Sequence, residues 1–307
     1  MMMSVDEVYD QFRTLPGATM VGQGLRRFLY VPPTRKNSVL LVAHADSVWD
    51  DKEIKLGQTA NRLFSTNEKS GCRADDRCGI TMLWKLRGLG HALLIPDGEE
   101  RHGQGSEFLM TQEDWRKEIN KHQFAIQMDR MNADDLAFYG VASNAFKGWC
   151  EQQFKGYKRL HGAWTDICNL CNEYTHKQDC LDGVNISVGY YKQHTTEEYV
   201  ELPEWHRTLS LLHENLKKDD IPKFHHAYDP PKAASSYSYP GAYVGRGASY
   251  DYQPACGKPD WHRKDTIDID VLSGTLVCPH CEGMFDEGEF RQNKNACIYC
   301  NKTFEAA

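Results

Sequence analysis

The chain reads as an α/β protein with a mixed, largely parallel sheet sandwiched by helices, followed by a small cysteine-rich unit. Three observations predict this. Short apolar runs without strict alternation recur through the first two-thirds of the sequence, as strands buried on both faces require. Helically spaced stretches separate them, and strands alternating with helices imply a sheet covered on both sides. Beyond about residue 225 the composition turns to Tyr, Ser, Pro and Gly, and two Cys-x-x-Cys pairs then close the chain.

The elements follow in order. Residues 38–43 form the first apolar strand, 92–95 the second, 124–128 the third and 184–188 the fourth. Between and after them, residues 80–89, 112–121, 144–154 and 204–218 carry helical periodicity. In the last of these, Trp205 to Leu216 reads as a core-facing stripe rather than an interface. A chain of 307 residues can bury one sizeable core and carry an appendage. We divide it into a domain over 1–220, a linker over 221–269 that cannot bury much surface, and a terminal unit over 270–307.

Composition excludes several classes. A net charge of −7 gives no footprint for nucleic acid or an anionic membrane. No apolar stretch is long enough to span a bilayer, and the first residues lack the pattern of a secretory signal. Of the eleven cysteines, four lie in the closing pairs and the rest scatter, which fits metal binding and reduced core thiols, hence the cytoplasm.

The chemistry lies at the strand ends. His44 and Asp46 follow the first strand, Glu99 and Glu100 the second, Asp129 the third and His194 the fourth; Asp75 and Asp76 precede a helix. Ligands gather at the carboxyl ends of strands in open α/β sheets, so four distant segments are expected to converge. A pair of metal ions needs a bridging carboxylate and further imidazole or carboxylate ligands, with room for water. Residue types for this are present. Asp46 is placed to orient the His44 imidazole, and Glu99, beside Glu100, to take a proton from water. Taken singly, each carboxylate would be an ordinary solvated group; the ordered combination is what points to a site.

These stretches resemble the co-catalytic zinc exopeptidases, the superfamily of the M28, M20 and M42 metallopeptidases. The resemblance rests on Leu40-Leu-Val-Ala-His-Ala-Asp46, Ala74-Asp-Asp-Arg-Cys-Gly-Ile80, Gly98-Glu-Glu100 with Gly105-Ser106, Met128-Asp-Arg130 and the segment from Gly189 through His194 to Tyr199, with Thr165-Asp166 as a lead-in. It implies Asp75 as the bridge, His44 and Asp129 completing one zinc site, and Glu100 and His194 the other. It also implies Glu99 as general base and Asp46 as orienting carboxylate. The span from Asp129 to His194 already holds strand and helix signals, so the lid domain of many M20 enzymes has no room. That favours an aminopeptidase-like branch and a monomer. Residues 174–182 depart from the family's usual Gly-Ile-Pro turn.

Other residues receive plainer readings. Cys168 and Cys171 are expected as core or helix-face thiols, Cys72 and Cys78 as packing residues, His102 as a loop histidine, and His225 and His226 as solvated at the linker edge. Cys278, Cys281, Cys297 and Cys300 have the spacing of a closed, four-thiolate structural zinc ribbon. Acidic residues outnumber basic ones there, so protein docking or substrate tethering is expected rather than phosphate binding. The sequence as a whole predicts a metallopeptidase with two catalytic zinc ions and one structural zinc, acting on a peptide or amide. Removal of N-terminal residues is the favoured reaction. A carboxypeptidase, a deacylase of N-acyl amino acids, and a non-catalytic protein-binding adaptor are the alternatives.

Overall fold

Adjacent residues of the apolar runs are divided between two separate cores, which is why these segments form strands covered on both faces. Leu41, Leu93 and Ile126 pack into one core, while Leu40, Val42, Leu94 and Ala125 pack into the other. Side chains alternate across a strand, so full burial of consecutive residues requires helices on each side. Each fully buried aliphatic side chain contributes about 1.5–3 kcal/mol.

The computed structural model describes residues 2–160, 162, 164–172 and 179–227, together with the backbone of 268–270, 275–277 and 284–286. Helix α1 (Val5–Arg13) opens the chain on a capping box between Ser4 and Glu7. Strands β1 (Thr19–Gln23), β2 (Arg26–Val31) and β3 (Leu40–Val42) follow, then a small hairpin of β4 (Leu56–Gln58) and β5 (Arg62–Ser65). Helix α2 (Ala74–Leu86) leads to β6 (Ala92–Pro96). Helices α3 (Gln104–Thr111) and α4 (Glu113–Ile119) precede β7 (Ala125–Arg130) and β8 (Asp135–Ala137). Then come α5 (Asn144–Gln153), β9 (Lys158–Leu160), α6 (Asp166–Leu170), β10 (Cys180–Leu181) and β11 (Gly183–Ser187). Strands β12 (Tyr190–Tyr191) and β13 (Tyr199–Glu201), helix α7 (Leu202–Leu216) and β14 (His225–His226) follow.

The main sheet has eight strands in the order β1-β2-β6-β3-β7-β11-β8-β9. The central four, β6, β3, β7 and β11, are mutually parallel, so their carboxyl ends share one edge. The mixed, largely parallel sheet expected from the sequence is the one found. Strands β8, β9 and β11, all between Asp129 and His194 in sequence, belong to this same sheet. A second sheet has the order β12-β13-β5-β4, and the loop between its strands β12 and β13 carries His194. In the C-terminal part, β15 (Asp268–Asp270), β16 (Thr275–Val277) and β17 (Met284–Asp286) pair antiparallel. Cys278, Cys281, Cys297 and Cys300 lie outside the described residues, as does most of the expected linker.

Two expectations need correction. His225 and His226 are half-buried rather than solvated: β14 pairs with β10, and His226 Nδ1 lies 2.8 Å from the buried Asp182 carboxylate. The chain before them is packed too, with Ile221 buried and Phe224 against Phe124 and Phe146. Cys168 is disulfide-bonded, not a reduced thiol, whereas Cys72, Cys78 and Cys150 are free and buried. Among the described residues no helix is long and apolar enough to cross a membrane.

One buried histidine links the two ends of the domain. His91 Nδ1 accepts the Val39 amide at 3.1 Å, and Nε2 donates to the Leu216 carbonyl at 2.8 Å. The Val39 bond requires the neutral ring, and burial holds its pKa down at about 4; burial does the same to His122. Unfolded histidine protonates near pH 6.5, so between about 6.5 and 4 the unfolded chain binds more protons and stability falls as pH falls. The urea midpoint is expected to drop across that window, and to drop less steeply in His91→Gln. An equal slope in the variant would remove His91 from the account.

Candidate metal centre

The first histidine is fixed before any ligand arrives. His44 lies just past β3, fully buried, and its backbone amide donates to Asp76 Oδ2 at 3.2 Å. Asp76 also accepts the Gly79 amide at 2.9 Å and so ties down the first turn of α2. Gly79 is required here: a Cβ on it would stand 2.0 Å from the Met128 carbonyl oxygen. Without that close approach of α2 to β7, Asp75 and Asp76 would not reach the edge of the sheet. Of the two aspartates, Asp76 thus serves the backbone and Asp75 faces the histidines.

Asp75 stands between two imidazoles. Its Oδ1 lies 3.0 Å from His44 Nε2, and its Oδ2 lies 3.1 Å from His194 Nε2. Asp129 Oδ1 completes the first group at 3.3 Å from His44 Nε2, and Glu100 Oε2 the second at 3.0 Å from His194 Nε2. In each group of three the ligand atoms lie within 4.8 Å of one another. Ligands at zinc bond lengths around a tetrahedral ion stand roughly 3.3 Å apart, so these spacings fit a metal shell. The five residues expected as ligands are therefore together, with Asp75 common to both groups.

The supporting side chains were expected only in part. Asp46 Oδ1 lies 3.3 Å from His44 Nδ1 and accepts the Glu99 amide at 3.0 Å, while its Oδ2 accepts the Glu100 amide at 3.1 Å. One carboxylate therefore sets both the imidazole and the turn that carries Glu99 and Glu100. Gly98, with φ of +69°, lets that turn fold back beneath Asp46. Asp129 is clamped by four side chains, of which Thr165 and Tyr190 lie in the quoted motifs and Gln127 and Asn185 were not singled out. Its Oδ2 accepts from Gln127 at 3.0 Å, from the Thr165 hydroxyl at 3.1 Å and from Asn185 at 3.3 Å. Its carbonyl oxygen accepts from the Tyr190 hydroxyl at 2.6 Å. Gln127 and Asn185 sit in strands β7 and β11, where a polar residue inside an apolar run was the available signal.

Buried carboxylates dominate the electrostatics of the site. Burial pushes the Glu99 carboxyl well above its usual range, although the His44 charge opposes this. Burial, followed by the Asp75 charge, raises Glu100 to about 7. Burial alone would raise Asp75 too, but hydrogen bonds from His194 and His44 hold it below the ordinary carboxylate range. Asp166, fully buried on α6, is pushed up to about 7 by burial and in turn raises Glu99. Carboxylates crowded in this way are relieved by cations, and the imidazole and carboxylate donors suit zinc. The cavity at the site is lined by Asp75, Glu99, Asp129, Arg130, Thr165 and His194, among others. Of the remaining arginines beside the motifs, Arg77 is buried against the Met3 and Ala45 carbonyls and Arg101 is exposed. His102 is exposed on its loop, as expected.

If Asp46 orients the centre, Asp46→Ala should weaken metal binding by about 10–100-fold while the protein stays folded. Competition for zinc against a chromophoric chelator measures this, and unchanged affinity would rule the role out.

No protein-family model matches this chain, and no curated protein matches it in sequence. Solved structures do match. The aminopeptidase PepT from Bacillus cereus superposes with a TM-score of 0.51 at 12% identity, covering 69% of this chain and 91% of the other. A tripeptidase from Staphylococcus aureus gives 0.50 at 12% identity, covering 70% and 93%. A TET aminopeptidase from a marine-sediment thaumarchaeote gives 0.50 at 9% identity, covering 70% and 90%. The chain therefore has the fold of these aminopeptidases, the fold implied by its motifs.

Proposed function

We propose that the protein is a zinc-dependent metallo-exopeptidase with two catalytic metal ions, removing residues from the N-terminus of peptides. The observation that carries this reading is the Asp75 carboxylate, with one oxygen 3.0 Å from the His44 imidazole and the other 3.1 Å from that of His194. His44, Asp75 and Asp129 would hold one ion and Asp75, Glu100 and His194 the other. Zinc bound there would supply a Lewis acid for the scissile carbonyl and an acidified water.

The chain's own groups divide the remaining work. Glu99 is the general base: it lines the cavity, its Oε1 lies 3.4 Å from the Thr165 hydroxyl, and burial favours its uptake of a proton. The proton it removes from water is then available for the leaving amine. Asp46 keeps the His44 ring and the Glu99–Glu100 turn in register. The N-terminal preference is supported by the carboxylates lining the cavity, which suit a substrate ammonium, and by the absence of a lid among the described residues between Asp129 and His194. Arg130 favours a second reading, since it lines the same cavity next to Asp129 and suits a substrate carboxylate. The free buried thiols of Cys72, Cys78 and Cys150 support a cytoplasmic setting, whereas the disulfide at Cys168 does not. The monomer expectation rested on the missing lid, which removes one route to a dimer and no other; light scattering reads the state directly.

A mixed peptide library incubated with the zinc-loaded protein is expected to yield ladders shortened from the N-terminus by mass spectrometry. Glu99→Gln should reduce the rate by about 10²–10⁴-fold. Ladders from the C-terminus would transfer the reading to the carboxypeptidase alternative. Absence of cleavage by metal-loaded protein would favour a deacylase or the adaptor.

Metal analysis tests the zinc count independently. We expect three zinc ions per chain, falling to two when Cys278→Ser and Cys281→Ser remove the C-terminal thiolates. An unchanged count in that double variant would overturn the structural zinc. The protein-docking role of the ribbon stands or falls with that ion.

A further inference from the structure

Glu198 is a completely buried carboxylate to which the catalytic reading assigns nothing. It shows no exposure, yet it is only four positions after His194 in the loop between β12 and β13. That loop is tightly turned: His194 has φ of +60° and Lys192 of +55°, and the Glu198 amide donates to the Thr195 carbonyl at 3.2 Å. The Glu198 side chain turns inward and meets the start of α2, where Oε1 accepts the Asp75 amide at 3.3 Å. Asp75 and Asp76 have non-helical backbone angles there, so this amide lies outside the regular helical pattern and needs an acceptor.

The contact joins two ligands of one triad through their backbones. Asp75 comes from α2 and His194 from the β12–β13 loop, segments far apart in sequence, and Glu198 fastens one to the other. Gly71 makes room for it: a Cβ at that position would stand 2.5 Å from Glu198 Oε2 and 2.8 Å from the Thr195 carbonyl oxygen. The first triad has independent supports. His44 is held by Asp46 and Asp76, and Asp129 by Gln127, Thr165 and Asn185. His194 has far less: its side chain is 35% exposed, and the ligands Asp75 and Glu100 are what its ring meets.

We infer that Glu198 is a positioning residue that locks the His194 loop to the Asp75 backbone and thereby sets the affinity of the second triad for metal. The inference rests on the two-metal reading above. Its consequence is asymmetric, because loss of the lock frees His194 while leaving His44 and Asp129 clamped.

The test is a stepwise zinc titration of the full chain against a chromophoric chelator. Wild type is compared with Glu198→Ala, Glu198→Gln and, as a surface control, Glu197→Gln. In Glu198→Ala the weaker of the two site affinities should fall by about 10–100-fold while the tighter one stays within about threefold. Glutamine keeps the shape and one acceptor, so Glu198→Gln should recover most of the loss. Where alanine unfolds the protein, Glu198→Met preserves the volume without an acceptor and takes its place. Equal loss at both sites, loss at neither, or failure of glutamine to rescue would overturn the inference. Wild type that takes up only one ion at this centre would instead overturn the two-metal reading. A zinc held by the C-terminal cysteines is common to all variants and cancels in the comparison.

Discussion

Everything at this centre depends on one carboxylate shared by two imidazoles. Asp75 can sit between His44 and His194 because α2 lies directly on β7 at Gly79 and because Asp76 takes over the backbone contacts. Sharing creates an electrostatic problem as well as a geometric one. Asp75, Glu99, Glu100 and Asp129 crowd together around the imidazoles of His44 and His194, and burial sharpens the repulsion between the carboxylates. The surrounding architecture answers with fixed dipoles. Backbone amides of Glu99 and Glu100 point at Asp46, and side-chain amides of Gln127 and Asn185 point at Asp129. The polypeptide holds the carboxylates in place but leaves their charge for cations to neutralise.

The middle of the fold was legible because its signal is strong and local. Residues 38–43, 92–95, 124–128 and 184–188 are apolar runs that can only be buried, and each became a central strand within a residue or two. The site was legible for the same reason. His44, Glu100, Asp129 and His194 each follow or close such a run, and parallel strands necessarily bring those ends to one edge. The outer elements are a different case. Strand β1 lies at the sheet edge with no buried residue, and β2 beside it begins exposed and ends buried, so their pattern is mixed. Helix α1 announced itself through the Ser4–Glu7 capping box, a signal that was present but unused.

What escaped the sequence reading was whatever depends on partners distant in the chain. Asn185 reads as a strand residue until Asp129 is seen beside it. Glu198 reads as one of two adjacent glutamates, and nothing local tells it from Glu197, whose side chain pairs with Lys192 on the surface. His225 and His226 border a polar, low-complexity segment, and composition alone placed them in solvent. Their burial follows from β14 pairing with β10 and from Asp182, a contact that no window of sequence contains.

The small sheet beside the site bears on how the molecule comes to exist at all. Strand β13, which ends the His194 loop, pairs with β5, placing Val200 opposite Leu63. The segment bearing the last histidine is thus anchored to a hairpin made in the first quarter of the chain. Such pairing must close a very long loop, and its entropy cost is met only once the intervening sheet is in place. Nascent chain emerging with His44, Asp75 and Asp129 but without β13 would carry a half-built centre, with the capacity of the first triad alone. On this topology, ordering of the second triad belongs to the closing stage of folding rather than to its nucleus.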